Sequence, residues 1–255
     1  MNSDFKDKLK SGVAVHGCWI NLGSTVSAEI IGHTGFDWVL VDLEHGAGND
    51  LIMYQQLQVL SGTHTTAFVR IDELSRPKVQ HLMDAGAQGV MFPQIQNAEE
   101  ATLASKSMYY PPKGIRGMAK MVRATGFGKN FNQYISTLEN VLVCVIQIET
   151  VKSVENIESI AELEEVDVLF LGPTDLSVAL GIPAQFDHPD YQKAMKRIAE
   201  AAKKYGKTAG VLLQNINEYE MYHDAGYRFI ASGADSSFVV NGAADMLNQM
   251  TKRKN

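Results

Sequence analysis

The segment VLVCVIQIET, residues 141–150, decides the fold class. It begins with apolar residues that do not alternate with polar ones, which is typical of a strand buried on both faces of a parallel sheet. The segment then ends in Gln147, Glu149 and Thr150. A buried strand that ends in polar side chains is the pattern of α/β proteins, whose sites lie beyond the carboxyl ends of their strands.

Similar short runs recur along the chain, with amphipathic segments between them. Strands are predicted at residues 13–20, 38–43, 66–71, 89–93, 141–148, 168–171, 208–213 and 228–231, and helices at residues 24–34, 76–85, 98–108 and 189–205. Eight repeats of strand and helix in 255 residues predict one TIM (β/α)8 barrel domain, residues 1–255. An open Rossmann sheet is the alternative, but no GxGxxG follows the first strand.

The charge and the cysteine content of the sequence argue against several classes of binding partner and cellular location. The formal net charge is −6, which argues against binding to nucleic acid or to an anionic membrane surface. The two cysteines, Cys18 and Cys144, lie in apolar runs without a CxxC motif and are predicted to be buried thiols in a reducing compartment. No apolar run approaches the length of a membrane span, and residues 1–10 do not resemble a signal peptide. We therefore expect a cytoplasmic protein.

One long segment, residues 109–140, separates the predicted fourth and fifth strands. It has no clear helical or strand pattern and contains several Gly and Pro residues. Loops of this length in a compact domain usually form lids or binding loops. We expect the segment to be irregular.

Polar residues follow four of the predicted strands. In a barrel these positions share one rim, where the chemistry of such proteins collects. The rim residues are predicted to be Asp42, Glu44, His45, Arg70, Asp72, Gln147, Glu149 and Asp175.

Glu149 and Asp175 are candidate metal ligands because they end adjacent strands. Two carboxylates at close range need a cation between them to remain ionised. Ligation by oxygen alone suits Mg²⁺ or Mn²⁺ better than Zn²⁺. The alternative is that both acids are helix N-caps, which βα loops often carry.

Three further residues have candidate roles with a structural alternative. His45 is a candidate general base, since imidazole titrates near neutral pH, although a lone histidine is often structural. Arg70 could bind a carboxylate or an enolate, or form a salt bridge to Asp42 or Asp72. Asp84 could hydrogen-bond an imidazole, or be an ordinary acid at a helix C-terminus.

The turn formed by Gly172, Pro173, Thr174 and Asp175 precedes a predicted helix. Its backbone N–H groups could hold an anionic group at the helix N-terminus. An ordinary βα turn would have a similar sequence.

A set of motifs extends in order from about residue 12 to residue 240. They are GCW at 17–19, GFDWVLVDLEHG at 35–46, DAGAQGVMFP at 84–93, YPPKGIRG at 110–117, QIET at 147–150 and LGPTDLS at 171–177. Each is weak alone, but together they are specific. The sequence resembles the HpcH/HpaI aldolase family.

The resemblance implies a metal-dependent class II aldolase on a TIM barrel, which cleaves 4-hydroxy-2-oxo acids to pyruvate and an aldehyde. It implies Glu149 and Asp175 as ligands of Mg²⁺, Mn²⁺ or Co²⁺, and His45 as the base with Asp84 raising its basicity. It also implies a homohexamer, a trimer of dimers, in which the C-terminal helix is exchanged between protomers. The substrate-binding residues that it implies are Arg70, Gln147, Gly172, Pro173, Thr174 and Asp175.

Three other functions compete with this interpretation. A Schiff-base aldolase needs a lysine at a strand end, and none of the predicted strands ends in one. An acyl-CoA lyase of the citrate lyase β type would need room for a nucleotide, and no basic segment of that size is present. A barrel that only binds a metabolite would not need the full polar rim.

Overall fold

The computed structural model describes residues 4–252 and is a closed barrel of eight parallel strands in sequence order, with β8 paired to β1. The predicted TIM (β/α)8 architecture is confirmed. The strands are β1 Val15–Ile20, β2 Trp38–Asp42, β3 Thr66–Arg70, β4 Gly89–Phe92, β5 Val143–Ile148, β6 Val168–Leu171, β7 Thr208–Leu213 and β8 Tyr227–Ala234.

Twelve helices surround this barrel in the described part of the chain. They are α1 Asp4–Lys10, α2 Thr25–Gly32, α3 Asp50–Leu60, α4 Arg76–Ala85, α5 Ala98–Met108, α6 Phe131–Val141, α7 Val151–Glu155, α8 Ile157–Ala161, α9 Pro173–Ala179, α10 Pro189–Lys204, α11 Tyr219–Asp224 and α12 Asp235–Lys252. The four predicted helices correspond to α2, α4, α5 and α10. Helix α4 has Pro at its start and a left-handed Gly86 at its end, which explains why both of its ends could be predicted from the sequence.

Two apolar layers hold the barrel together. The outer layer fills the space between the strands and the helices, and the inner layer fills the barrel itself. Inside, Trp38 stacks on Phe229 with ring centroids 3.8 Å apart, and Phe68 meets both rings edge-on. The barrel interior is therefore a packed core, and a site can form at its carboxyl-terminal mouth.

Helix α1 closes the amino-terminal end of the barrel. Phe5 enters the inner layer, where it packs edge-on against Phe68 and Phe229. Lys6 is buried beside it, where its ammonium group pairs with Asp167 at 2.9 Å and donates to the carbonyl of Leu142 at 2.7 Å. This closure leaves the opposite end as the open mouth.

The segment 109–140 is more ordered than expected. It contains a short 3-10 helix at Arg123–Thr125 and most of α6. It lies outside the barrel against α4, where Arg116 contacts Asp84 and Arg123 donates to the carbonyl of Ala85. The segment therefore does not cover the mouth of its own barrel.

Helix α12 leaves the barrel with only its first residue, Asp235, buried. The Asp235 carboxylate accepts hydrogen bonds from the backbone of Asn21 and Leu22 and from the Ser27 hydroxyl, at 2.9, 3.2 and 2.6 Å. The rest of α12 is largely exposed. Among residues 4–252, no helix combines the length and apolar character needed to cross a membrane.

Candidate active site

The polar residues of the mouth continue the inward-facing positions of the strands. On β5, Val143 and Val145 point into the inner core. Because side chains alternate across a strand, Gln147 and then Glu149 project in the same direction. The same spacing of two, applied to the inner-core residues of β2, β3 and β6, brings Asp42, Arg70 and Gly172 to the mouth.

Arg70 is held by two carboxylates. Its Nε and Nη2 atoms donate to the two oxygens of Asp42 at 2.9 and 2.8 Å, and its Nη1 lies 2.9 Å from Glu44 Oε2. Burial would lower the pKa of Arg70, but Asp42 and Glu44 outweigh it, so the pKa rises. The guanidinium therefore stays charged and fixed beneath the mouth, and the alternative of a salt bridge to Asp42 is what the structure shows.

Glu149 is a buried carboxylate, 2% exposed, surrounded by hydrogen-bond donors. Its Oε1 accepts from the backbone N–H and side-chain amide of Gln94, at 2.8 and 2.9 Å. Its Oε2 accepts from the Gln147 amide, whose own Oε1 is buried without a hydrogen-bond partner in residues 4–252. The side chain is thus oriented by three donors, and one acceptor beside it is free for a ligand.

The electrostatics of this carboxylate favour a bound cation. Burial raises the pKa of Glu149 to about 7, and the nearby charges of Asp175 and Glu44 add to that effect against the opposing influence of Gln94 and Arg70. Burial also raises the pKa of Glu44. Acidic groups that repel one another and offer only oxygen atoms fit a hard divalent cation, so the residues present suit the metal that the resemblance implies.

Gly172 makes room for Glu149. A Cβ atom at position 172 would lie 2.6 Å from Glu149 Oε2 and 3.1 Å from Gln147 Nε2. Its φ of −93° is ordinary, so the requirement for glycine here is steric rather than conformational.

Asp175 lies in the first turn of α9, behind the N-cap Gly172. Neither Asp175 nor Glu149 is an N-cap, since Thr150 caps α7. The predicted N-cap alternative is therefore wrong for both acids. The first-turn N–H groups of Thr174 and Asp175 have no intrahelical acceptor and are free to meet an anion.

His45 lies at the edge of the mouth, with its side chain 69% exposed. Its Nε2 is 3.9 Å from Glu44 Oε2, and its backbone N–H donates to Asp42 at 3.3 Å. The imidazole is therefore accessible to a substrate and close to Arg70, whose Nη1 contacts the same Glu44 oxygen.

Asp84 is far from this rim within one chain. It lies in the last turn of α4, at the amino-terminal end of the barrel, and its Oδ1 accepts from Arg116 Nη2 at 2.6 Å. Arg116 is buried between Tyr110 and Tyr134. A contact between Asp84 and His45 would therefore have to join two copies of the chain.

The rim surrounds a cavity of about 720 Å³. It extends from Arg70 and Asp175 across Phe170 and Trp19 to the loops that follow β7 and β8. Lysine is absent from the described residues that line it. The candidate residues Asp42, His45, Arg70, Gln147, Gly172, Pro173, Thr174 and Asp175 all line this cavity, with Glu149 directly beneath Gly172.

Sequence reasoning missed one residue of the site, Gln94, and one contact, that of Glu44 with Arg70. Gln94 orients Glu149 from a left-handed conformation, φ 57°, which is uncommon outside glycine and which concentrates at functional sites. Glu44 was noted on the rim, but its ion pair with Arg70 was not anticipated. A glutamine after a strand carries no recognisable signal, whereas the DLEH string did mark Glu44 as a rim residue.

Comparison with known proteins agrees with the resemblance in the sequence. The model of the HpcH/HpaI aldolase/citrate lyase family matches residues 16–242. A hydroxypyruvate/pyruvate aldolase of Paraburkholderia phytofirmans is 35% identical over 96% of both chains. A 4-hydroxy-2-oxo-heptane-1,7-dioate aldolase of Klebsiella pneumoniae is 34% identical over 98% of this chain and 95% of its own.

Comparison with solved structures also agrees with the resemblance in the sequence. The crystal structure of an HpcH/HpaI aldolase/citrate lyase family protein from Burkholderia cenocepacia superposes with a TM-score of 0.93 at 32% identity, covering 98% of this chain and 100% of that one. The citrate synthase SbnG shares the fold, with a TM-score of 0.87 at 23% identity, covering 98% of both chains. The chain belongs to the HpcH/HpaI aldolase/citrate lyase family and is a carbon–carbon lyase.

Proposed function

We propose that the chain is a divalent-metal-dependent class II aldolase that reversibly cleaves a 4-hydroxy-2-oxo acid to pyruvate and an aldehyde. The observation that carries this proposal is the buried Glu149 carboxylate, which Gln94 and Gln147 orient and which feels the nearby charge of Asp175 at the barrel mouth. The names of the relatives support pyruvate as one product, since one is a hydroxypyruvate/pyruvate aldolase.

Glu149 and Asp175 would hold the cation, which would supply Lewis-acid stabilisation of negative charge on the keto oxygen of pyruvate. The carboxylates present do not discriminate among Mg²⁺, Mn²⁺ and Co²⁺. The first-turn N–H groups of Thr174 and Asp175 would bind the pyruvate carboxylate, with Gln147 beside them. Gly172 and Pro173 keep that turn close to Glu149.

Arg70 would stabilise the enolate, because its fixed charge lies where negative charge develops. In the cleavage direction, His45 would accept the proton of the 4-hydroxyl group as the bond between C3 and C4 breaks, and the C3 carbon is then reprotonated. Asp84 of a second copy could raise the basicity of that imidazole, since one chain does not bring them together.

A homo-oligomer, a hexamer built as a trimer of dimers, would cover the exposed apolar side chains of α12, among them Val239, Val240 and Leu247. The buried, unpaired thiols of Cys18 and Cys144 fit a reducing compartment such as the cytoplasm.

A coupled assay tests the proposed function. The protein is incubated with a 4-hydroxy-2-oxo acid and Mg²⁺ or Mn²⁺, and the pyruvate released is reduced by lactate dehydrogenase while NADH absorbance is followed. We expect pyruvate release that EDTA abolishes and added metal restores. Release that is insensitive to EDTA would rule out the metal, and release of acetyl-CoA from an acyl-CoA substrate instead would favour the lyase alternative.

A further inference from the structure

The cavity has two chemically different sides. The side formed after β2, β3, β5 and β6 is charged and contains Arg70, Asp42 and Asp175. The other side is formed by residues at the end of β8 and after β7 and β8, and its polar members carry amides and hydroxyls. They are Gln214, Asn215, Ser232, Ser237 and Asn241.

Within one chain, the described residues place no free cation on the second side. Among the described residues, the basic side chains that line the cavity are Arg70 and His45. Arg70 lies on β3, which is across the barrel from β7, and all three of its nitrogens already contact Asp42 or Glu44. His45 lies beside Glu44 on β2's loop.

The neutral side is free to make hydrogen bonds. In residues 4–252, the side chains of Gln214 and Asn241 and the hydroxyl of Ser232 have no hydrogen-bond partner, and the Asn215 side chain uses only its oxygen, which caps Asn217. Amide and hydroxyl groups can each donate and accept, which matches the hydroxyl groups of a substrate. A second carboxylate would meet no positive partner there and would add negative charge to an acidic mouth.

We propose that this side of the cavity selects a short, uncharged, hydroxyl-bearing aldehyde over an aldehyde that carries its own carboxylate. The inference rests on the proposed function, and it names the class of the second substrate. In the addition direction, C3 of pyruvate loses a proton and bonds to the aldehyde carbon, whose oxygen gains a proton. The product is a polyhydroxylated 2-oxo acid with one carboxylate.

Glyceraldehyde and tartronate semialdehyde form a matched pair for the test. Both have three carbons and a 2-hydroxyl group, and they differ only in a terminal CH₂OH or carboxylate. With pyruvate and Mn²⁺, we expect kcat/KM for glyceraldehyde to exceed that for tartronate semialdehyde by about tenfold or more, since a site rejects a group that it cannot pair. Equal values, or a preference for tartronate semialdehyde, would overturn the proposal.

A charge-adding variant tests the cause. Asn241→Arg places a cation on the neutral side, and we expect it to reduce the ratio of the two kcat/KM values. Gln58→Arg adds the same charge on the exposed surface of α3 and should leave the ratio unchanged. If Asn241→Arg leaves the ratio as it is in the wild type, the charge of this side does not determine selectivity and the proposal is wrong.

Exchange of the pyruvate methyl protons in D₂O distinguishes a failure of the proposed aldolase function from a failure of the proposed aldehyde selectivity, because the exchange needs no aldehyde. Metal-dependent exchange together with a preference for the carboxylate-bearing aldehyde would overturn this inference alone. The absence of exchange from folded, metal-loaded protein would overturn both the proposed function and the inference that rests on it.

Discussion

At the scale of single residues, the site depends on a close fit around Glu149. Its two oxygens accept hydrogen bonds from Gln94 and Gln147, and a methyl group at position 172 would not fit beside them. The inward direction of these side chains follows from the period of two that also builds the inner core. The polar side chains of the mouth therefore continue the same inward-facing rows of side chains that form the core below them.

Substituting Gly172 tests that fit. Gly172→Ala should weaken divalent-metal binding and lower kcat at least about tenfold, because the new Cβ displaces the Glu149 carboxylate, and overpacking should destabilise the fold by about 1–3 kcal/mol. Calorimetric metal titration and urea unfolding measure the two effects. Gly62→Ala is the matched control, since its Cβ would make only an ordinary contact at 3.5 Å on an exposed turn, and activity should not change. Metal affinity like that of the wild type in Gly172→Ala would contradict this description of the site.

The protonation of Glu149 makes stability depend on pH in the metal-free protein. Its pKa of about 7 lies above the ordinary value of 4.5, so the folded state binds this proton more tightly than the unfolded state. The resulting stabilisation is complete below about pH 4.5 and is lost as pH rises to about 7, an effect on the order of 3 kcal/mol.

Glu149→Gln removes that titration. In EDTA, we expect the free energy of unfolding of the variant to rise relative to the wild type between pH 5 and pH 8, as measured by urea unfolding. Exposed Glu99→Gln serves as a control with no such trend. A constant difference between Glu149→Gln and the wild type across this range would show that Glu149 does not titrate near neutrality.

The candidate residues could be predicted because each follows an apolar strand in a recognisable string. Their partners could not, because pairing depends on how neighbouring strands align. Arg70 is opposite Asp42 in the register of β2 and β3, which a single sequence does not reveal. Similarly, a single sequence does not reveal that α4 carries Asp84 to the other end of the barrel, so that the predicted contact with His45 would have to join two copies of the chain.

At the scale of elements, α1 closes the barrel end opposite the site. The described part of this helix, Asp4–Lys10, has seven residues and is too short to be stable alone, so its packing against the inner core holds it in place. Its short and charged sequence gave no sign of this role. The strands were predictable because they are continuous apolar runs, whereas α6 was missed because the segment before it is rich in glycine.

Phe5→Ala should therefore reduce stability without changing the chemistry. The ring is 2% exposed and packs on Phe68 and Phe229, so its loss should cost about 3–5 kcal/mol in the free energy of unfolding. Urea unfolding measures the loss, and kcat at low temperature should stay near that of the wild type. Lys10→Ala, at an exposed position of α1, is the control. A large fall in kcat in the folded Phe5→Ala protein would mean that α1 influences the mouth.

At the scale of the whole molecule, α12 has an apolar side that the chain itself does not cover. With about 100° of rotation per residue, its members fall within about one third of the helix circumference, which places them on one side of the helix. They are Val239, Val240, Met246, Leu247 and Met250, each more than half exposed. Such a patch marks an interface, and the homo-oligomer and the helix exchange implied by the resemblance remain predictions.

A charge placed on this side should disrupt assembly. We expect Leu247→Glu to lower the molar mass in solution relative to the wild type, because an unpaired carboxylate would be buried in the interface. Light scattering after size-exclusion chromatography measures the mass. Asn248→Glu adds the same charge next to Leu247 but off the apolar side, and its mass should not change. A wild type that is monomeric at micromolar concentration would contradict the assembly.

The central claim is that the mouth of this barrel stabilises the enolate of pyruvate with a divalent cation held by Glu149 and Asp175. Exchange of the pyruvate methyl protons in D₂O, followed by NMR, tests it most directly because no aldehyde is required. We predict exchange with Mg²⁺ or Mn²⁺ that stops in excess EDTA and in Glu149→Ala. Exchange that continues in EDTA, or that Glu149→Ala retains in full, would contradict the account.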